Sequence, residues 1–276
     1  MKKKPRVAFT IADDKNLPDA KMMINSLRKF HSEEELPIVL YGQKEMDKIK
    51  DQHKFYRTTP MFARKLIDEY ELVLKLDCDQ IIMGNLDFIF KMKDYDVGSV
   101  FNINRVDPSR YGYVSCCGIS PAEYVNCGLV AMRSKKFIEH WWKLCNDRCF
   151  HRLTYKEQDL LNILMQYGDY KIRNFDVYDP IYNYSAWHGL VSKGEWDKAI
   201  IRGKNVVIPK GKDNYPDRDI LLKVIHWAGG GQEKKMNYKI FFQEEVISYI
   251  DYLVSDKNTK KSEESIIQDW KKNIVK

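Results

Sequence analysis

The chain has 276 residues, of which 44% are hydrophobic, 31% charged and 13% aromatic. This composition excludes wholesale disorder, collagen and coiled coil, and a chain of this length buries about three quarters of its unfolded surface without needing a disulfide or metal staple. Forty-six Lys and Arg against 39 Asp and Glu leave +7, a surplus that permits an anionic partner but names none.

In chain order, Arg6–Ile11 is a short apolar, β-rich run and reads as a first buried strand. Leu17–Phe30 follows with Met23, Leu27 and Phe30 at helical spacing, then Pro37–Tyr41 as a second strand and Lys44–Lys54 as an exposed helix. Met61–Tyr70 reads as a helix with Phe62, Leu66 and Ile67 on one side. Leu72–Leu76 is a third strand that runs straight into Asp77-Cys78-Asp79, and Gln80–Met83 is β-like again. Asp96–Phe101, Tyr124–Met132 and Val206–Ile208 are further strands, Lys135–Cys149 and Tyr155–Gln166 are helices, Leu221–His226 is a late strand, and Ile240–Val254 is a C-terminal helix. Strands alternating with helices imply a mostly parallel α/β sheet covered on both faces, with ligands held outside the carboxyl ends of the strands. Arg105–Ala122 is weakly periodic and rich in Pro, Gly, Ser and Tyr, which marks it as a functional lid or acceptor loop. Ile181–Trp196, with Trp187, His188 and Trp196, is assigned to the same surface.

Several classes fall away. No apolar run reaches the roughly 18 residues of a membrane-spanning helix, and the N-terminal apolar stretch is too short for a signal peptide, so a cytoplasmic location is expected. Cys78, Cys116, Cys117, Cys127, Cys145 and Cys149 read as reduced, buried thiols; Cys145 and Cys149 at i, i+4 suit one apolar helix face, and no second pair completes a zinc site with His151. Neither a Walker A motif nor GxGxxG is present, which argues against nucleotide hydrolysis and dinucleotide enzymes.

The sharpest chemical feature is Asp77-Cys78-Asp79 at a strand end. Residues i and i+2 of an extended chain point to one face. Two carboxylates so placed are costly unless a cation neutralises them, and hard oxygen ligands suit Mg²⁺ or Mn²⁺, which bind diphosphate oxygens in turn.

Seven separated motifs then resemble, in order, those of a GT-A-fold nucleotide-sugar glycosyltransferase of glycosyltransferase family 8, the glycogenin- and galactosyltransferase-like enzymes. Phe9-Thr10-Ile11-Ala12-Asp13-Asp14 resembles the first strand and the acidic turn that holds the nucleotide base. Phe62-Ala63-Arg64-Lys65-Leu66 and Asp77-Cys78-Asp79 resemble the family's helix and DxD metal site. Val125-Asn126-Cys127-Gly128 resembles the sugar-pocket motif, Glu157-Gln158-Asp159 the start of the helix beside sugar and acceptor, Tyr182-Asn183-Tyr184 a further element, and Ile225-His226-Trp227-Ala228-Gly229 the motif whose His is the third metal ligand. The resemblance implies one GT-A domain over residues 1–254, a Mn²⁺ or Mg²⁺ cofactor on Asp77, Asp79 and His226, and catalytic roles for Glu157, Gln158 and Asp159. It implies donor binding by Thr10, Ala12, Asp13, Asp14, Arg64, Lys65, Asn126, Gly128, Gly229 and either Lys234 or Lys235. The implied reaction moves a hexose from a nucleotide sugar, foremost a UDP-sugar, to a glycan, protein or lipid acceptor with retention of configuration. Two departures stand out: Glu157 replaces the family's frequent Asp, and Lys234-Lys235-Met236 lacks the family's Lys-Pro-Trp. The alternatives are a sugar-nucleotide nucleotidyltransferase, against which the glycine-free Ala12–Asn16 turn argues, and a non-catalytic binder of nucleotide sugars or glycans.

Position sharpens the charge. Residues 1–6 carry four basic groups and no acid, residues 255–276 six basic and four acidic, and the remaining 248 residues 36 basic and 35 acidic. The near-neutral domain does not call for a nucleic-acid partner. The basic tail, with Ile266, Ile267, Trp270 and Ile274 at helical spacing, either contacts an anionic membrane surface peripherally or packs on its own domain.

Overall fold

The computed structural model describes residues 3–49, 58–101, 118–120, 123–150, 153, 155–175, 183–185, 199–203, 205–209, 219–226 and 242–255. In chain order its elements are β1 (Val7–Ile11), α1 (Leu17–Arg28), β2 (Ile38–Tyr41), α2 (Gln43–Asp47), α3 (Thr58–Ile67), β3 (Val73–Leu76), β4 (Gln80–Ile82), α4 (Asp87–Lys91), β5 (Val97–Phe101), β6 (Val125–Met132), α5 (Lys135–Cys145), α6 (Glu157–Tyr167), β7 (Ile172–Asn174), β8 (Asn183–Ser185), β9 (Ile200–Arg202), β10 (Asn205–Ile208), β11 (Ile220–Leu222), β12 (Val224–His226) and α7 (Glu244–Val254).

The central sheet has six strands in the order β2-β1-β3-β6-β5-β7. The pairs β1–β2, β1–β3 and β5–β7 are parallel, while β6 runs antiparallel to both β3 and β5. The strands are apolar on both faces, as a doubly covered sheet requires. Val7, Phe9 and Val73 face a core completed by Phe62, Ile67, Phe137, Trp141, Leu160 and Leu164 of α3, α5 and α6. Ala8, Leu74 and Leu76 face the opposite core, with Met23 and Leu27 of α1 and Ile89 and Phe90 of α4. A third core forms where Ile81 and Ile225 meet Val206, Ile208 and Leu222, covered by Val246, Ile250 and Leu253 of α7.

The expected elements recur within a few residues, with four differences. The helix expected over Lys44–Lys54 is shorter and spans Gln43–Asp47. The helix expected at Met61–Tyr70 begins and ends three residues earlier, at Thr58 and Ile67. The single strand expected over Leu221–His226 is two: β11 pairs with β10, and β12 pairs with β4 and β8 in another sheet. Lys223 is the break between them, and its carbonyl accepts from Met83 N–H at 2.8 Å. The helix expected to reach Cys149 ends at Cys145, so Cys145 is buried but Cys149 is exposed on the 3₁₀ turn Arg148–Phe150. That overturns the expectation that both thiols share one apolar helix face. Apart from residues 118–120 the lid segment lies outside the described residues, as do Trp187, His188, Trp196, Gly229, Lys234, Lys235 and the tail from residue 256.

One polar residue ties helix to sheet. Asn162 on α6 is 3% exposed, and it engages Val125 as a neighbouring strand would: its Oδ1 accepts from Val125 N–H at 2.6 Å and its Nδ2 donates to Val125 O at 2.9 Å. Replacing it by Ala strands a buried backbone donor and acceptor. Asn162→Ala is expected to lower unfolding free energy by about 3 kcal/mol in denaturant titration, from roughly 1–3 kcal/mol per unsatisfied group; a loss under about 0.5 kcal/mol would show that the clamp carries no stability.

Candidate active site

The antiparallel course of β6 decides where the chemistry gathers. Its N-terminal end lies beside the C-terminal end of β3, so Asn126-Cys127-Gly128 comes against Asp77: Asp77 N–H donates to Gly128 O at 2.8 Å. On the other side of β6 the ladder with β5 slips, from Ser99↔Val130 to Val100↔Asn126. This bulge swells the strand at the motif, in keeping with the placing of such irregularities beside functional sites. The buried Ser99 hydroxyl lies 2.6 Å from Asn126 O and 2.9 Å from Leu129 O, at either end of the slip.

Three distant residues meet over this point. His226, last in β12, places Nε2 at 3.3 Å from both Asp77 Oδ2 and Asp79 Oδ1. One ligand atom from each of the three lies within 4.8 Å of the others, which fits them to hold one metal ion. The His226 side chain is 2% exposed, whereas Asp77 and Asp79 are 36% and 33% exposed, so the carboxylates retain a side open to a ligand. Gly128 makes room for the imidazole: a Cβ there would collide with Cε1 and lie 2.6 Å from Nδ1. The glycine of the motif is therefore required by the histidine that arrives from the other end of the chain.

The electrostatics follow from burial and proximity. Burial disfavours the His226 imidazolium, but Asp79 and Asp77 outweigh it and raise its pKa to about 9. Burial likewise disfavours charge on Asp77; the Lys75 ammonium, followed by His226, overcomes this and holds the carboxyl well below the usual range. Lys75 itself is 3% exposed, on the same face of β3 as Asp77. Its Nζ bonds to Asp77 Oδ1 and donates to Cys127 O at 2.6 Å. Burial works against this ammonium too, and Asp77 more than reverses the effect, so Lys75 stays protonated.

α6 supplies the remaining polar groups. Trp141 Nε1 donates to Glu157 O at 3.1 Å and fixes the start of the helix on α5. The residue before it, Lys156, has φ 55° and ψ −121°, a strained backbone for a side-chain-bearing residue. Glu157 Oε1 accepts from Thr59 Oγ1 at 2.7 Å and lies 3.9 Å from Cys127 Sγ; burial pushes its carboxyl up. Gln158 Oε1 accepts from Cys127 N–H at 2.9 Å, while its Nε2 donates to Tyr124 Oη at 3.3 Å. Asp159 is 1% exposed and accepts from Tyr124 Oη at 2.6 Å and from Tyr155 N–H at 2.7 Å, so it braces the helix start from within.

The other expected residues distribute as follows. Ala12 is buried at the end of β1, where its N–H donates to Tyr41 O at 3.0 Å. Asp13 Oδ1 accepts from Asn16 N–H at 2.9 Å and shapes the turn, and Asp14 is exposed beside it. Thr10 is fully buried, and its hydroxyl has no hydrogen-bond partner within the described residues. Asn126 Oδ1 accepts from Gly128 N–H at 2.6 Å. Arg64 is directed at α5: its Nε donates to Glu139 Oε1 at 2.9 Å and its guanidinium sits 5.1 Å from the Trp142 ring. Asp68, one turn on, is taken by Lys135 at 2.7 Å. Lys65 is exposed, with Nζ 5.0 Å from the Phe62 ring centre. Sequence reasoning passed over Lys75. Its signal was a lone charge inside the apolar run Leu72–Leu76, two residues before Asp77 and thus on its face.

The raised His226 pKa fixes a pH dependence. Below pH 6.5 the imidazole is protonated in folded and unfolded chains alike and its ion-pair contribution is complete; as pH rises through about 9 the folded chain loses the proton and the contribution with it. The metal-free Tm is therefore expected to fall between pH 6.5 and 9; a flat profile by scanning calorimetry contradicts this. Gly128→Ala, by displacing the imidazole, is expected to weaken Mn²⁺ binding about 10- to 100-fold, the range for residues that orient a metal ligand. Unchanged affinity by titration calorimetry would mean that the ring has room to spare.

No protein-family model matches the chain, and no curated protein sequence matches it either. Solved structures do match. The glycosyltransferase GlyE of Streptococcus pneumoniae TIGR4 superposes with a TM-score of 0.54 at 16% identity, over 99% of this chain and 64% of that one. The galactosyltransferase LgtC, in complex with donor and acceptor sugar analogues, gives 0.54 at 15% identity over 94% of this chain and 98% of that one. WbbM, a bifunctional glycosyltransferase, gives 0.53 at 14% identity over 97% of this chain and 52% of that one. The chain thus spans less than two thirds of GlyE and about half of WbbM, but nearly the whole of LgtC. At these identities the likeness is one of fold, and the fold is GT-A, with Asp77 and Asp79 at the end of a central strand.

Proposed function

We propose that the chain is a metal-dependent glycosyltransferase that moves a hexose from a nucleotide sugar, foremost a UDP-sugar, to a glycan, protein or lipid acceptor with retention of anomeric configuration. The observation that carries the reading is the meeting of Asp77, Asp79 and His226, with ligand atoms within 4.8 Å, at the carboxyl end of β3 in a GT-A fold. Their oxygen and imidazole donor set suits Mn²⁺ or Mg²⁺. When bound, the cation supplies a Lewis acid against the charge of a departing nucleoside diphosphate.

The chain's own residues do the rest. Ala12, Asp13 and Asp14, with Thr10 behind them, form the end of β1 that receives the nucleotide. Asn126 and Gly128 line the sugar side, and Lys234 or Lys235, with Gly229, completes the diphosphate cradle. Gln158 is held at both ends of its carboxamide, by Cys127 N–H and Tyr124 Oη. A group so fixed orients a sugar without reorganising first. One of the LgtC structures carries an active-site Gln-to-Glu substitution, which supports attention to this side chain. Asp159 secures Gln158 through Tyr124, and Glu157 stands before it at the start of α6, against Thr59 and Cys127. Residues 1–254 form the catalytic domain, and the basic tail of residues 255–276 is a candidate for peripheral contact with an anionic membrane.

The test is a panel of nucleotide sugars with Mn²⁺, followed by release of free UDP or GDP. At least one donor is expected to turn over. Asp79→Ala is expected to cut that turnover by about 100-fold or more, the scale of several kcal/mol supplied by a metal. Full activity in Asp79→Ala sinks the metal assignment, and silence across the panel favours a non-catalytic binder.

A further inference from the structure

Lys75 has no place in the mechanism above, yet it is the most completely enclosed charged side chain bonded to the candidate metal site. It reaches Asp77 Oδ1 and Cys127 O, and its Nζ lies 3.9 Å from Cys127 Sγ. Across that sulfur, also at 3.9 Å, is Glu157 Oε1, which is anchored by Thr59. The ammonium thus bonds to one carboxylate, the candidate metal ligand Asp77, and faces a second, Glu157, across the sulfur. Its hydrogen bond to Asp77 uses Oδ1, while Oδ2 is the oxygen turned to His226.

We propose that Lys75 is a positioning residue that acts as a fixed internal counter-cation: it balances the charge of Glu157, presents Asp77 with Oδ2 free for the metal, and keeps the metal exchangeable. The inference rests on the metal reading given above. Its basis is a charge count. Asp77, Asp79 and Glu157 bring three negative charges to a largely buried site, and a divalent cation cancels two. Lys75 cancels the third, so the loaded site, with His226 neutral as a ligand, carries no net charge, and the empty site keeps the ammonium beside the His226 imidazolium against its acids. The same ammonium repels the incoming cation, and repulsion between like charges is strong where water is excluded. Lys75 therefore lowers metal affinity while preserving the ligand geometry. Without it Asp77 and Asp79, backed by the unbalanced charge of Glu157, would hold a divalent cation more tightly.

This separates the role from a merely structural one. A residue that only supports the fold weakens metal binding when removed; a counter-cation strengthens it. The experiment is Mn²⁺ binding to the full chain, read from the free-ion electron paramagnetic resonance signal, with folding checked by circular dichroism. Lys75→Met, of similar length and without charge, is expected to bind Mn²⁺ about tenfold tighter than the unaltered protein, and to show a larger metal-induced rise in Tm. Glu157→Gln leaves Lys75 uncompensated and is expected to bind several-fold more weakly, by the same repulsion. The double variant is expected to return close to the starting affinity. Equal or weaker binding by folded Lys75→Met overturns the proposal. If that variant does not fold, Glu157→Gln decides: unchanged or tighter binding overturns the proposal, and weaker binding supports it. Absence of Mn²⁺ binding by the unaltered protein overturns the metal reading itself, whereas unchanged affinities in the variants overturn only the role of Lys75.

Discussion

Two ionised carboxylates cannot sit side by side at the end of a buried strand without positive charge close by. The arrangement around Asp77 and Asp79 answers that constraint. Lys75 approaches from within β3, and His226 approaches from β12 with its imidazole drawn towards the charged form. Positive charge thus arrives from two directions before any ion is bound. The geometry of this candidate metal site is held by charges the chain itself supplies, so a divalent cation would enter a site already shaped for it.

That arrangement depends in turn on the direction of one strand. Had β6 run parallel to β3, Asn126-Cys127-Gly128 would lie at the far end of the sheet from Asp77. Its antiparallel course, and the slip in its pairing with β5, bring a glycine to the spot where the His226 ring must pass and a backbone N–H to the spot where Gln158 Oε1 rests. Asn162 then locks α6 to the same strand. Asp77, Asp79 and His226, the Asn126-Cys127-Gly128 segment and the start of α6 form one hydrogen-bonded body, so displacement of any part is felt by the rest.

Much of this was legible in the residues. The apolar runs of β1, β3 and β6 announce buried strands because both of their faces are covered, and the DxD at the end of Leu72–Leu76 announces a candidate cation site because two adjacent carboxylates call for positive charge. What escaped the sequence depends on long-range geometry. The division of Leu221–His226 between two sheets follows from pairing partners far away in the chain, which a local apolar pattern cannot encode. The early end of α5 exposes Cys149, although i, i+4 spacing placed it on the buried face. The partners of Arg64 on α3, Glu139 and Trp142 of α5, could not be read from the motif around it. Lys75 looked like an interruption of a strand until its partners on β6 and α6 were in place.

The wide separation of the ligands along the chain has a bearing on biosynthesis. Asp77 leaves the ribosome long before His226, by on the order of ten seconds at usual elongation rates of about 5–20 residues per second. Throughout that interval the nascent sheet exposes two acids with no histidine to close the site, while Lys75 is already present two residues away. An ammonium covalently next in line gives the young strand a neutralising partner from the moment it emerges. The half-made protein then has less reason to capture stray divalent ions before the chain that should enclose them exists.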